Sequence, residues 1–427
     1  MRIQIVSPFF NPVIGGVESV LDTTCEALAK SGHKVQVLTS SIGSETPREE
    51  TRNGVTIIRS DLLRVPPNGV IKADDFRYSQ VSTLFKNLVD EFDPSVVHFH
   101  NYQMRFYAMF LLAFLNSLNR KRHPVVNTIH NDADDIFSQY VLTYFPLDRI
   151  VTVTKRISLE LMEAGVPADR VAHVPNMVDS ERYRAADRKT VRRMLGVEED
   201  SPIILYPSRL VGREGNLILD AMRGKGLDLL MRALPEVLDW IPDAKVLLLG
   251  NDNVFTNEVE RSKRRLKKMA EKMGAKDSLL FFKRFVPNEM LPSVFAASDI
   301  VVSLSSREAF GMVFIEGMAA GKPVVGATSN INGVAEVVPD ELAGLLVPEN
   351  DSHATARAIT KILLDEKLKA EMGLNGIKWV KKKFDTRVVL PKLIATYQSV
   401  ANQISDRHER IESLEIPPQT PLNEEKD

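Results

Sequence analysis

The sequence predicts an α/β protein with two domains, each built on a parallel β-sheet that helices cover. The chain has 427 residues, more than one hydrophobic core usually serves. Short apolar runs rich in β-branched residues alternate with longer helical patterns in both halves, as they do in parallel sheets. A polar stretch at 181–202 separates the two series. We therefore expect an N-terminal domain over 1–185 and a C-terminal domain over 186–385.

Thirteen apolar runs are predicted to be strands, seven before the polar stretch and six after it. The first seven are 2–7, 34–39, 54–59, 95–100, 124–130, 149–154 and 170–175, and the other six are 202–208, 245–250, 278–282, 299–305, 323–328 and 344–348. Between the first two runs, apolar side chains recur on one face of a helix that ends at Gly32. A final helix over 386–405 carries an apolar stripe that must be buried.

Charge and composition narrow the class of protein. The formal net charge is −1, so there is no overall electrostatic footprint for nucleic acid. The basic stretch 261–274 is predicted to be the solvated face of a helix, with Leu266 pointing inward. The single cysteine, Cys25, excludes an intramolecular disulfide, suits a reducing compartment and is interpreted as a small core residue.

The sequence predicts no membrane-spanning helix. The apolar run at the start is too short for a signal peptide and stops at Pro8, so we expect a cytoplasmic protein. The apolar segment 106–115 is about half as long as a spanning helix; it is predicted to be a buried helix, with interfacial lipid contact as the alternative. The acidic, proline-containing segment 406–427 is predicted to be a disordered tail.

Ligands of parallel sheets gather beyond the carboxyl ends of the strands, where helix N-termini present unpaired N–H groups. Three strand-to-helix turns are candidates. The first holds Gly15 and Gly16, where a phosphate or an ordinary tight turn explains the pair equally well. The second holds Arg209 and Lys225, two cations that suit a diphosphate but are also common on surfaces.

The third turn, in 305–323, contains two glutamates eight positions apart, Glu308 and Glu316. A short helix is predicted from Gly311 to Ala320. Glu308 then lies in the loop before this helix and Glu316 lies on it, so both carboxylates can reach one cleft. Pairs at this spacing also occur by chance.

Histidines and aspartates near other strand ends have competing explanations. His130 ends a predicted strand, either as a satisfied loop residue or as a reactive group. The sequence DADD at 132–135 can bind a metal, but capping of the next helix is favoured. His98 and His100 share a strand face, and no third ligand for zinc is apparent.

Eight blocks follow one another along the chain: GGVE, SGHKVQVLT, VVHFH, NTIHND, VPNMVD, PSRL, GKGLDLLMRAL and SSREAFGMVFIEGMAAGKPVVG. Together they resemble the retaining, nucleotide-sugar-dependent glycosyltransferases often called glycosyltransferase family 4, over residue 1 to about 405. The last block, glutamate-x7-glutamate, is the most specific. The resemblance implies a GT-B fold: two facing Rossmann-like domains with a cleft between them, and a final helix that returns to the first domain.

The resemblance also implies roles for individual residues. Glu308 would bind hydroxyls of the donor sugar and Glu316 those of the ribose, while Arg209 and Lys225 would neutralise the diphosphate and His130 would reach the reacting sugar. Gly16 would lie under the diphosphate or the acceptor. The donor-binding set is completed by the residues next to Glu308, namely Ala309, Phe310 and Gly311.

Several positions depart from the family pattern. The segment between Arg209 and Lys225 is longer than usual, so 211–223 looks like an insertion that contacts an acceptor or a partner. Either Lys225 returns to its place after the insertion, or Arg213 supplies the second cation. Met177 and Arg284 stand where glycines are usual, and Gly317 where alanine is usual, at a helix cost near 1 kcal/mol.

The sequence therefore predicts a metal-independent glycosyltransferase that uses a nucleotide sugar as substrate, needs no cofactor and retains anomeric configuration. The acceptor would be a hydroxyl of a sugar, sugar phosphate or glycolipid. A nucleotide-sugar 2-epimerase and a non-catalytic sugar-nucleotide-binding protein are the alternatives, and a dinucleotide-dependent oxidoreductase is disfavoured because GxGxxG is absent. Homo-oligomerisation and peripheral contact with the inner face of the membrane stay open.

Overall fold

The computed structural model describes the chain except for residues 14, 42–45, 65–75, 105–106, 118–122, 134, 209, 211–223, 251–255, 283–285, 330 and 414–427. The side chains of 256–258 and 404–413 also lie outside the description. Within the described residues, fourteen strands form two separate sheets.

The first sheet has eight strands in the order β3-β4-β2-β1-β5-β6-β7-β8, all parallel except β3, which pairs antiparallel with β4. Its strands are β1 Arg2–Val6, β2 Lys34–Ser40, β3 Glu49–Arg52, β4 Val55–Ser60, β5 Val96–His100, β6 Val125–Ile129, β7 Arg149–Thr152 and β8 Val171–His173. The helices of this half are α1 Gly16–Lys30, α2 Tyr78–Phe92, α3 Ala108–Ser117, α4 Ile136–Tyr144, α5 Lys155–Glu163, α6 Ser180–Arg184 and α7 Arg188–Leu195.

The second sheet has six parallel strands in the order β11-β10-β9-β12-β13-β14. They are β9 Ile203–Tyr206, β10 Lys245–Leu248, β11 Leu279–Phe281, β12 Ile300–Ser303, β13 Val324–Thr328 and β14 Gly344–Pro348. The helices are α8 Leu227–Trp240, α9 Thr256–Lys272, α10 Leu291–Ala297, α11 Met312–Ala319, α12 Val334–Val337, α13 Ser352–Leu364, α14 Glu366–Lys383 and α15 Thr386–Ser413.

Each of the thirteen predicted runs contains a strand, because a strand buried on both faces is a continuous apolar run. The sequence prediction missed β3. Its residues, EETR, are all polar, as an edge strand with one free side allows. The order of the strands reverses beside β1 in the first sheet and beside β9 in the second, which places a crevice at the carboxyl ends of β1 and β5 and of β9 and β12.

The last helix packs against the first half of the chain. Leu390, Leu393 and Tyr397 of α15 share a buried apolar cluster with Leu21 and Cys25 of α1. The helix continues to Ser413, and 414–427 lie outside the described residues; disorder of the segment 406–427 stays a prediction.

Three local predictions are confirmed. Cys25 is buried within α1, and burial raises its thiol pKa, so the thiol is protonated. The apolar segment near 110 forms α3, in which Phe110, Leu111 and Phe114 are buried. The basic stretch belongs to α9, with Leu266 buried. Among the helices of the described residues, none combines the length and the apolar character that crossing a bilayer requires.

Candidate active site

Gly16 and Glu316, two of the residues predicted to bind ligand, lie where the two halves of the chain meet. Gly16 begins α1 directly after the β1 turn, and a methyl group built on it would stand 4.0 Å from Cγ of Met312, at the start of α11. On the next turn of α1, the Ser19 hydroxyl lies 3.5 Å from Oε1 of Glu316 on α11. The N-terminus of α1 therefore faces the N-terminus of α11 across the cleft.

Glu308 and Lys225 form an ion pair at this cleft. Nζ of Lys225 lies 3.5 Å from Oε2 of Glu308, and the two side chains are 48% and 22% exposed. One contact joins their loops: the Ser305 hydroxyl donates to the carbonyl of Gly224, at 3.0 Å. A second contact ties the Glu308 loop to the start of α12, since Gly333 N–H donates to the carbonyl of Glu308, at 2.8 Å. Lys225 therefore lies beside the glutamate loop, while Arg213, the alternative second cation, is outside the described residues.

The three residues after Glu308 turn the chain into α11. Gly311 caps the helix with φ of 86°, a left-handed conformation that favours glycine. The side chains of Ala309 and Phe310 are buried, and the Phe310 ring packs edge-on against Phe384, with 5.5 Å between centroids. Only the main chain of Ala309 and Phe310 is therefore available to a ligand.

Glu316 is a buried carboxyl group, 6% exposed. Burial raises the pKa of Glu316 to about 7, while hydrogen bonds from Tyr183 and Ser19 and the charge of Arg182 oppose that shift. A small cavity beside it is lined by Asp22, Arg182, Tyr183 and Met312. Near neutral pH the group exchanges between a charged acceptor and a neutral acid.

His130 follows β6 and is buried, 7% exposed. Its Nε2 lies 2.9 Å from Nδ1 of His100, and its backbone N–H donates to Oδ1 of Asn101 at 2.8 Å. Burial lowers the pKa of His130 to about 4, and the Asn176 side chain partly opposes this shift. The imidazole is therefore neutral at physiological pH and acts as a hydrogen-bonding group, not as a cation.

Some predictions concern residues beyond this description. Arg209 and Arg213, the predicted insertion 211–223 and Arg284 lie outside the described residues. Two aspartates of the DADD sequence have structural partners: Asp135 caps α4 by accepting from Ser138 N–H at 2.9 Å, and Asp132 pairs with Arg156, while Asp134 lies outside the described residues. In the described part of the chain, no cluster of three or more His, Cys, Asp or Glu is arranged to hold a metal ion.

Sequence reasoning missed three residues of this region: Ser19, Tyr183 and His100. The sequence draws attention to His100 only as one of two histidines on a strand face, with no third ligand for zinc. Its position at the end of β5, which pairs with β6, is a signal that it can meet His130. Ser19 and Tyr183 carry no such signal, because their contacts with Glu316 depend on how the two halves of the chain face each other.

Two parallel sheets that face each other across a cleft define a GT-B fold. The chain belongs to the GT-B glycosyltransferases: residues 14–182 match Glycosyltransferase Family 4, and residues 187–379 match Glycosyl transferases group 1.

Relatives along nearly the whole chain agree with this assignment. A D-inositol 3-phosphate glycosyltransferase of Nocardia farcinica is 28% identical, over 88% of this chain and 84% of its own length. A GDP-mannose-dependent phosphatidylinositol monomannoside mannosyltransferase of Mycolicibacterium smegmatis is 27% identical, over 88% of this chain and 92% of its own. The crystal structure of Anabaena HepE in complex with UDP and glucose superimposes with a TM-score of 0.71 at 20% identity, covering 93% of this chain and 100% of the other.

Proposed function

We propose that this glycosyltransferase moves a sugar from a nucleoside-diphosphate donor to a hydroxyl acceptor, with retention of configuration and without a metal ion. The observation that carries the proposal is the Lys225–Glu308 pair at the cleft. A cation and a hydroxyl-binding carboxylate 3.5 Å apart match the junction between the diphosphate and the sugar of such a donor.

Each residue then has a chemical role. Cleavage of the sugar–phosphate bond adds negative charge to the departing diphosphate, and Lys225, together with Arg209, would stabilise it. Side-chain cations would supply the charge that a divalent ion supplies elsewhere. Glu308 would accept hydrogen bonds from sugar hydroxyls and Glu316 from the ribose, while Gly16 and Gly311 would let the main chain approach the phosphates.

The opposite wall of the cleft would hold the reacting sugar and the acceptor. A neutral His130 can exchange a hydrogen bond with a sugar hydroxyl without adding positive charge near the forming oxocarbenium-like centre. Retention rests on the resemblance to family 4. It is tested by determining the anomeric configuration of the product by NMR; an inverted product would contradict it.

The activities for which the relatives are named guide the choice of ligands. The M. smegmatis relative is named for GDP-mannose and HepE was crystallised with UDP, so both bases belong in a donor panel. Two relatives are named for inositol-containing acceptors, so inositol phosphate and phosphatidylinositol belong in the acceptor panel.

Thermal unfolding with UDP, GDP, ADP and their sugars tests the donor site. A nucleotide that binds the folded state raises the melting temperature by mass action. At a concentration a hundred times its Kd it adds about 2.7 kcal/mol to the free energy of unfolding. The stabilising donor is then incubated with and without acceptors. Transfer that depends on an acceptor supports the proposal, and isomerisation of the donor alone would indicate a 2-epimerase. No stabilisation by any nucleotide would contradict the proposal.

A further inference from the structure

We propose that His100 is a positioning residue: its hydrogen bond to His130 fixes the His130 proton on Nε2, so that Nδ1 stays an acceptor. The inference deepens the proposed function, because it rests on His130 meeting the reacting sugar. Neither the family resemblance nor the comparisons give His100 a role.

The two rings meet because their strands are neighbours. β5 pairs parallel with β6, with His100 opposite Thr128, so His100 ends its strand beside the residues that lead to His130. The rings are nearly parallel, with 5.2 Å between centroids and 18° between planes, and they meet edge to edge, as an in-plane N–H···N hydrogen bond requires. Nδ1 of His100 lies 2.9 Å from Nε2 of His130, and both side chains are more than nine-tenths buried.

A hydrogen bond between two neutral imidazoles couples their tautomers. Burial lowers the pKa of both groups, so each ring carries one N–H. If His130 donates from Nε2, His100 must accept at Nδ1 and carry its own proton on Nε2. If His100 donates from Nδ1, His130 must carry its proton on Nδ1. The two rings therefore share one tautomer, either Nε2–H or Nδ1–H.

The surroundings of His100 favour the Nε2–H form. Its Nε2 is buried and has no hydrogen-bond partner among the described residues. The residue lines a pocket together with Ser7, Glu18 and Tyr107, and Glu18 is 3% exposed. A carboxylate only accepts hydrogen bonds, so Glu18 beside this ring favours a proton on Nε2. His130 then carries its proton on Nε2 as well.

A second histidine holds His100 in place. The rings of His98 and His100 lie 4.1 Å apart between centroids. His98 is itself fixed at both nitrogens, with Tyr397 Oη of α15 at 2.6 Å from Nδ1 and Thr128 Oγ1 at 2.6 Å from Nε2. The His100 ring is thus held between His98 and His130, and it cannot turn without disrupting this packing. His130 is consequently held in one tautomer, and its other ring nitrogen, Nδ1, is buried without a hydrogen-bond partner among the described residues.

The tautomer is directly measurable. In protein labelled with 15N-histidine, long-range 1H–15N spectra separate protonated from unprotonated ring nitrogens, and His130→Gln assigns the signals among the eight histidines. We expect a single His130 tautomer with the proton on Nε2. A proton on Nδ1, or a mixture of both forms, would overturn the proposal. This measurement needs neither a donor nor an acceptor.

A matched pair of amides separates positioning from packing. In His100→Asn the amide oxygen can stand near the position of Nδ1 and accept from His130, whereas in His100→Gln the amide lies one bond further, near Nε2. We expect His100→Asn to keep the His130 tautomer and most of the turnover. His100→Gln should mix the tautomers and lower kcat by about tenfold or more, with little change in the donor KM.

Controls keep the two proposals apart. His353→Asn removes an exposed histidine paired with Glu236. It should leave the His130 signals and kcat unchanged. Thermal unfolding of each variant identifies loss of fold. If the wild type transfers no sugar, the proposed function fails while the spectra still decide the tautomer. If transfer is established and both His100 variants keep the wild-type His130 signals and the wild-type kcat, the inference about His100 fails and the proposed function stands.

Discussion

At the level of single residues, the Lys225–Glu308 pair places a cation beside a carboxylate in the candidate site. With Lys225 48% exposed, solvent screens the attraction, and such pairs add little to stability. The Ser305 hydroxyl nevertheless joins the Lys225 and Glu308 loops, and Gly333 N–H holds the carbonyl of Glu308, so both loops are fixed by other hydrogen bonds. A ligand can therefore replace the Lys225–Glu308 contact at little cost in the stability of the fold.

Glu308→Gln is expected to lower turnover about tenfold to hundredfold, because it weakens charge-assisted hydrogen bonds worth roughly 1.5 to 3 kcal/mol. The folded state should keep its melting temperature within a degree or two, about what a small change in stability gives. Steady-state kinetics with the identified donor measures the effect. Glu366→Gln, which removes an exposed charge paired with Lys369, is the control. Equal kinetics in all three proteins would remove Glu308 from the mechanism.

Glu316 should make stability depend on pH. Its pKa in the folded protein, about 7, lies above the ordinary value of 4.5, so the folded state holds this proton more tightly than the unfolded chain does. The resulting stability is fully present below pH 4.5 and is lost as the pH rises through 7. Glu316→Gln cannot ionise and should escape this loss.

Denaturant unfolding at pH 5 and pH 8 measures that difference. From pH 5 to pH 8 the wild type should lose up to about 3 kcal/mol of unfolding free energy that Glu316→Gln keeps. This is the free energy that corresponds to a pKa shift from 4.5 to about 7. Glu260→Gln, at an exposed residue paired with Lys263, should follow the wild type. Parallel curves for wild type and Glu316→Gln would mean that Glu316 is ionised throughout.

At the scale of elements, the turn into α11 depends on glycine. A methyl group on Gly311 would lie 2.5 Å from Cδ2 of Phe314, which is fully buried, and φ is 86°. Gly274, after α9, has a similar φ of 72° but open space around it. Comparing the two positions separates backbone strain from overpacking.

Gly274→Ala should cost about 1 kcal/mol, the strain of a left-handed residue. Gly311→Ala should cost about 1–3 kcal/mol more, because Phe314 cannot move away. Denaturant unfolding gives both values. Gly311→Ala should also weaken nucleotide binding, since it displaces the Glu308 loop. Equal losses at the two positions would show that the core around Phe314 adapts.

Local sequence patterns predicted most of the elements. Buried parallel strands and amphipathic helices have distinct periodicities, so β1 to β14 were found except for the polar β3. The cost predicted for Gly317 in α11 has a packing reason: a methyl group there would stand 2.9 Å from Val301 of β12. This departure from the family pattern therefore fits its neighbours.

The candidate site was only partly predictable. His130, Glu308 and Lys225 lie in the segments that follow strands, and Glu316 lies on the helix after one of them, where a single sequence already indicates function. Their partners Ser19, Tyr183 and His100 come from other elements, and local periodicity does not encode which strands are neighbours or how two sheets face each other. The domain boundary near 185 and the roles of the site residues stay predictions.

At the scale of the whole molecule, the two halves of the chain are joined by polar contacts around the cleft. Arg52 pairs with Glu289 at 2.7 Å, and Arg182 donates to the carbonyl of Asn288 at 2.9 Å. Glu336, before the end of α12, accepts from the backbone N–H groups of Lys155 and Arg156 at 2.8 Å each. A carboxylate from the second half thus caps the N-terminus of α5 in the first half, where the helix dipole favours negative charge.

Glu336→Ala should therefore favour opening of the cleft. A helix cap is worth about 1 kcal/mol, so the ratio of open to closed forms should rise about fivefold and the donor KM should rise by at most the same factor. Small-angle scattering should show a larger radius of gyration, which saturating nucleotide reverses. Asp351→Ala is the matched control, because Asp351 caps α13 within the second half by accepting from Ala354 N–H at 2.8 Å. It should lose similar stability without opening. If both variants keep the wild-type radius and KM, the Glu336 cap does not hold the two halves together.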